Sequence, residues 1–182
     1  MKKLAFLSVT AMSVLFASQA FAISDNTITF QGDVTTETCS VTINGNSAKP
    51  LVLLPSVNAS TLAESGKTSG KATFEIGVSG CTGSKDATTK VSSVFAGNNV
   101  ATTGDLGNVA TSTDAATNVN IQILDTKEKA INFSSPFKAD GDLTLDAGKS
   151  AATATYTAQY VATGKATAGA VESTMQYAVS YN

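Results

Sequence analysis

Three side chains are missing altogether: the 182 residues contain no histidine, no arginine and no tryptophan. Without imidazole there is no base for a serine or cysteine triad, and a zinc site loses its usual nitrogen ligand. Without guanidinium there are no bidentate forks for phosphate, which removes the main tool of nucleic-acid and nucleotide recognition. Proline is scarce, at 3 residues, and there are only 2 cysteines, Cys39 and Cys81.

Long apolar runs are scarce too. The longest, Leu4 to Phe16, follows Lys2 and Lys3, is broken by Ser8, Thr10 and Ser13, and leads into Ala20-Phe21-Ala22. A charged start, a short apolar core and a small-residue end predict a secretory signal peptide, because a membrane anchor needs about 20 uninterrupted apolar residues. Cleavage is expected after Ala22, with Ala20 as the second choice, so residues 1–22 are a signal segment and Ile23 begins the mature chain. No later segment is apolar enough for membrane insertion. The mature chain keeps ten lysines against fourteen acidic residues, a net charge of about −4 at neutral pH. Its length fits one domain.

Both cysteines lie in the exported part, where an oxidising compartment and an even count favour a disulfide between Cys39 and Cys81. Closing a loop of roughly 40 residues is worth about 3 to 4 kcal/mol in the chain-entropy model. The competing two-cysteine metal site has neither a histidine nor a nearby acidic cluster to complete its shell.

Thr, Ala, Ser and Gly dominate, and apolar residues come in short alternating runs, which predicts an all-β fold. Strands are expected at Thr27 to Val34, Cys39 to Ile43, Leu51 to Leu54, Ala72 to Ser79, Lys90 to Phe95, Val119 to Leu124, Leu143 to Leu145, Thr153 to Val161 and Met175 to Tyr181. Nine short strands with turn signals between them suggest a β-sandwich. Asn44-Gly45-Asn46 reads as a turn, Gly97 to Asp114 as a long polar loop or a pair of weak strands, and Thr61 to Ser65 as a helical turn.

Motifs for chemistry are weak. Ser65-Gly66-Lys67-Thr68 imitates the end of a phosphate loop, but Thr61 stands where that motif needs glycine. Asp140-Gly141-Asp142 and Asp146 lack the ligand series of a calcium loop and read as solvated turn acids. Asn58-Ala59-Ser60 and Asn132-Phe133-Ser134 match a glycosylation pattern that recurs by chance. Phe133 and Phe137, flanking Pro136, are expected in core or loop packing. Neither an enzyme nor a bound cofactor or metal is expected.

The two ends carry the informative pattern. Val171, Met175, Tyr177, Val179 and Tyr181 alternate with polar or small residues up to the last positions of the chain, and Ile28, Phe30, Gly32 and Val34 alternate in the same way near the mature N-terminus. Each is a strand that buries one face. Alternation alone is equally met by ordinary terminal strands of a closed sandwich.

Motifs spread along the whole mature chain resemble those of the type 1 fimbrial-protein family, the pilins assembled by the chaperone/usher pathway. They are Thr27-Ile28-Thr29-Phe30-Gln31-Gly32-Asp33-Val34 before Cys39, Phe74-Glu75-Ile76 leading to Cys81, Val119-Asn120-Ile121-Gln122-Ile123-Leu124, Tyr160-Val161-Ala162-Thr163-Gly164 followed by Ala168-Gly169, and the ending Tyr177-Ala178-Val179-Ser180-Tyr181-Asn182. An aromatic next to last, Tyr181, and a glycine fourteenth from the end, Gly169, are specific features of that family.

The resemblance implies an incomplete immunoglobulin-like β-sandwich, residues 36–182, completed by a donor strand from a neighbouring subunit, itself residues 23–35. Strand addition of this kind is a known recognition mode for such pilins. Asn26, Ile28, Phe30, Gly32 and Val34 would then be donor residues, and Gly169, Met175, Tyr177, Val179, Tyr181 and Asn182 would form the groove wall and the surface recognised by a chaperone. Gly32 either lets the donor pass a crowded part of the groove or marks a bulge. Burying Ile28, Phe30 and Val34 is worth about 5 to 9 kcal/mol, comparable to the stability of a whole domain. The implied partners are other copies of the chain, other fimbrial subunits, a periplasmic chaperone and an outer-membrane usher, with export through the periplasm to a surface fimbria. The short lead from Ile23 to Asn26 leaves open which residue fills the first part of the groove. A second reading, from the residues alone, is a self-contained exported β-sandwich that binds a host glycan or protein through the Gly97 to Asp114 loop.

Overall fold

The computed structural model describes residues 39–48, 50–83 and 85–181. Nine strands and one short 3-10 turn make up the regular structure of these residues: β1 (Ser40–Ile43), the turn Ala59–Leu62, β2 (Thr68–Ser79), β3 (Thr89–Gly97), β4 (Leu106–Gly107), β5 (Val119–Leu124), β6 (Phe137–Lys138), β7 (Leu143–Leu145), β8 (Ala152–Ala162) and β9 (Met175–Tyr181). One sheet runs β1-β2-β8-β5-β4; in the other, β3 carries β9 on one edge and β6 and β7 along the opposite edge. Every named strand pair is antiparallel.

Alternation places the core. Phe74, Ile76 and Val78 of β2, Ala154, Tyr156 and Ala158 of β8, and Ile121 and Ile123 of β5 meet Val91 and Phe95 of β3 and Leu143 and Leu145 of β7 in one buried cluster. Tyr156 stacks on Phe74 with ring centroids 5.8 Å apart and meets Phe95 edge-on at 4.9 Å, geometries that aromatic quadrupoles favour. Phe133 is buried, and Phe137 stacks on Phe95 at 6.1 Å, as core packing predicts.

Asp142 is half-buried and anchored beside the core, which corrects its reading as a solvated turn acid. Its carboxylate accepts hydrogen bonds from the Ser93 backbone N–H at 2.8 Å, the Ser93 hydroxyl at 2.6 Å and the Tyr156 hydroxyl at 2.7 Å. A tight Gly141 turn turns the acid inward, where three donors compensate its burial. Burial first, and then the Asp142 bond, pushes the Tyr156 phenol well above its ordinary range.

Other differences have equally local causes. The helical turn lies at Ala59–Leu62 rather than at Thr61 to Ser65, because the Asn58 side chain caps it by accepting the Ser60 N–H at 2.9 Å. The Gly97 to Asp114 stretch contains β4 and packs on the lead-in to β9. There Asn98 and Val109 donate backbone bonds to the carbonyls of Thr174 and Glu172. Leu51 to Leu54, expected as a strand, is extended but unpaired, because no described strand lies beside it.

Candidate functional site

Residues 51–57 make no backbone hydrogen bond among the described residues, although they run extended along the domain. Val52 and Leu54 turn inward against the core while Leu51 and Leu53 stay 73% and 77% exposed. Across from this segment lies β9, whose single partner among the described strands is β3, so its outer edge pairs with no described strand. Unpaired sheet edges of this kind are templates for another strand.

Between the two edges is a groove of about 490 Å³. Its floor is core: Ile43, Phe74, Ile121, Ile123 and Ala158, with Leu106, Met175 and Tyr177 at the sides. Glu172, at the rim, is the single charged residue among the described residues that line it. A second cavity of about 130 Å³ adjoins it, lined by Val57, Leu62, Ala116, Val119 and Ala166 to Gly169; Tyr160 and Val171 line both. Ser56 and Val57 thus share the small cavity with Gly169 and Val171, whereas Leu51 to Leu54 share the groove with Met175 and Tyr177. The two edges therefore run in opposite directions.

Two glycines shape the junction. Gly70 sits at a bulge in β2, between Ser69 and Ala72, with φ +67°; a Cβ there would lie 2.7 Å from the Tyr160 ring and 2.9 Å from Val57. Its missing side chain lets Tyr160 stand where groove and cavity meet, and burial raises the pKa of that phenol. At Gly169 a Cβ would fall 2.1 Å from the Asp114 carbonyl oxygen, so only glycine allows this wall of the small cavity to approach the Asp114 to Ala116 backbone.

The sequence-predicted residues sort as follows. Cys39 and Cys81 are bonded to each other, with Cα atoms 4.4 Å apart. Met175, Tyr177, Val179 and Tyr181 share one half-buried face of β9 against the core, and Gly169 lines the small cavity. Tyr181 does more than pack: its hydroxyl accepts the Cys39 backbone N–H at 2.9 Å, which ties the last described residue to the first. Asn26, Ile28, Phe30, Gly32, Val34 and Asn182 lie outside the described residues. Gly70, Tyr160, Leu106 and the small cavity were not foreseen. The signal that was present is the run Leu51-Val52-Leu53-Leu54, apolar on both faces.

An apolar slot between two backbone edges that pair with no strand beyond it among the described residues suits a strand. The fimbrial-protein family model matches residues 28–182. The chain belongs to the fimbrial protein family. It is 39% identical over 186 residues to the F17 fimbrial protein of Escherichia coli, covering 100% of this chain and 99% of that one. It is 34% identical to the S-fimbrial protein subunit SfaA of Escherichia coli strain 536, covering 98% and 99%. Among solved structures it is similar to the P pilus rod subunit PapA, with a TM-score of 0.56, 18% identity and coverage of 79% and 99%, a likeness of fold. This fimbrial subunit has an immunoglobulin-like sandwich, a structural rather than enzymatic role, and a place among other subunits in a surface fimbria.

Proposed function

We propose that this subunit polymerises by donor-strand exchange, with residues 23–35 of one copy filling the groove of the next, and that it builds the shaft of the fimbria. The observation that carries this is the pair of backbone edges, facing each other across an apolar groove of about 490 Å³, that no strand among the described residues fills. An inserted strand would hydrogen-bond on both sides and cover the core with alternate side chains.

Cavity sizes favour a donor antiparallel to β9. In that sense Ile28 and Phe30 enter the large groove, Gly32 passes the Tyr160 ring, and Val34 reaches the small cavity of about 130 Å³. It also continues the antiparallel pairing of the β3–β9 sheet, whose ladders are the more stable kind. Before assembly, a periplasmic chaperone would lend its own strand along Met175 to Tyr181 and hold the carboxylate of Asn182, and an outer-membrane usher would exchange it for the next subunit. The signal-like residues 1–22 support the periplasmic route, and likeness to a rod subunit supports the shaft.

The test is a subunit lacking Ile23 to Val34, purified with its chaperone. It should keep its disulfide yet donate no strand, and a peptide of residues 23–35 should raise its melting temperature by mass action. Phe30→Asp in the peptide should abolish the rise, since an unpaired carboxylate in an apolar slot costs several kcal/mol. A deletion that unfolds the chaperone-bound domain, or a peptide without effect, would place the strand in its own sandwich instead.

A further inference from the structure

Resting on the donor-strand reading, we infer that the anchorage of Cys39 prevents the chain from completing itself in the antiparallel sense and so leaves that sense of filling to a second copy. Cys39 is where the extension leaves the domain. It is held from two directions, by the bond to Cys81 and by its N–H donated to the Tyr181 hydroxyl at 2.9 Å. The exit therefore lies at the C-terminal end of β9.

Two rulers give the distance from this exit to the small cavity. Along β9 and its lead-in, Tyr181 to Val171 is ten residues, or about 33 Å at the rise of an extended chain. Along β8, Ser40 lies opposite Ser79, and Val78 opposite Ala152, so the level of Cys39 falls just before Ala152. Tyr160, at the mouth of the cavity, is eight residues beyond Ala152, which gives about 30 Å by a separate route.

The tether is too short for that span. Only Thr35, Thr36, Glu37 and Thr38 separate Val34 from Cys39, and five fully extended steps reach about 18 Å. With Val34 in its own small cavity the chain would fall short by roughly 12 Å, before any turn. The reverse sense is within reach, but it makes the ladder to β9 parallel and takes Gly32 away from Tyr160. A neighbour's extension has no such limit, because it arrives at the end near Val57 and Gly169 with its own domain beyond.

The experiment lengthens the tether in the full exported chain by roughly twelve Gly/Ser residues between Thr36 and Glu37, enough to span the groove and turn. The wild type should give a detergent-resistant ladder of polymers. The lengthened chain should collect as monomers that refuse a labelled peptide of residues 23–35, with assembled fibre reduced tenfold or more. Adding Phe30→Asp to the lengthened chain should free its groove, so that it takes up the labelled peptide. If the lengthened chain assembles at the wild-type level, the tether is not what excludes self-completion. If both lengthened variants take up the peptide, or neither does, the monomer is not held by its own strand and the inference falls. A truncated subunit that ignores the same peptide would instead overturn the donor-strand reading.

Discussion

Asp142 and Tyr181 each do work that their sequence context conceals. Asp142 sits in a turn rich in acids, and nothing local shows that its carboxylate collects three donors from Ser93 and Tyr156. Asp142→Ala should destabilise the groove-filled subunit by about 2 to 4 kcal/mol, because it leaves two hydroxyls and an amide without their acceptor. Tyr156→Phe, which removes one donor, should cost about 1 to 2 kcal/mol. Urea unfolding midpoints check both. The raised Tyr156 phenol also fixes a pH dependence. Its unfolded form ionises near pH 10 while the folded form resists, so its contribution is complete below about pH 10 and is lost progressively above that value, as pH rises toward the raised value of the folded phenol. Midpoints near neutral pH and near pH 11 should differ less in Tyr156→Phe than in the wild type, and an equal fall in both would remove Tyr156 as the cause.

At the scale of elements, the groove is defined by backbone that pairs with nothing described, and that has a direct reading in hydrogen exchange. The amides of Leu51 to Leu54 and the outward amides of β9 should exchange rapidly in the empty subunit and become protected when the peptide of residues 23–35 binds, while amides shared by β2 and β8 should change little. Protection confined to one of the two edges would mean that the peptide lies on the rim rather than between them. The sequence was legible at several elements whose partners lie among the described strands: Val119–Leu124, Leu143–Leu145 and Met175–Tyr181 have the bounds that alternation predicts. It misled at Leu51 to Leu54, where the pattern of a strand is present but no described strand lies beside it. It was silent on β6 and offered β4 only as one of a pair of weak strands within Gly97 to Asp114; each is two residues, too short for any periodicity. The Gly70 bulge and the Tyr160 gate depend on a close approach between β2 and β8 that no single stretch of sequence displays.

At the scale of the whole molecule, the disulfide serves both the stability of the domain and the geometry of assembly, and the two can be separated. Cys39 and Cys81 are 42 residues apart, so their bond removes about 4 kcal/mol of loop-closure entropy from the unfolded chain. That is a large share of the stability expected for a domain missing one strand. Replacing both cysteines by serine should therefore lower the periplasmic level of the subunit and its melting temperature, yet leave the groove lining intact, since neither cysteine contributes to it. Saturating peptide of residues 23–35 should then raise the melting temperature of the double-serine, extension-deleted subunit by about as much as it raises its disulfide-bonded counterpart, because the ligand acts only on the folded state. Tyr181→Phe should separate the second role: it keeps the disulfide and the ring packing but removes the acceptor for the Cys39 N–H, so the melting temperature should fall by far less than in the double-serine variant. Equal losses from the two changes would mean that the hydrogen bond, and not the covalent link, holds the start of the domain against the end of β9. A peptide that stabilises only the disulfide-bonded form would mean that the bond shapes the groove itself.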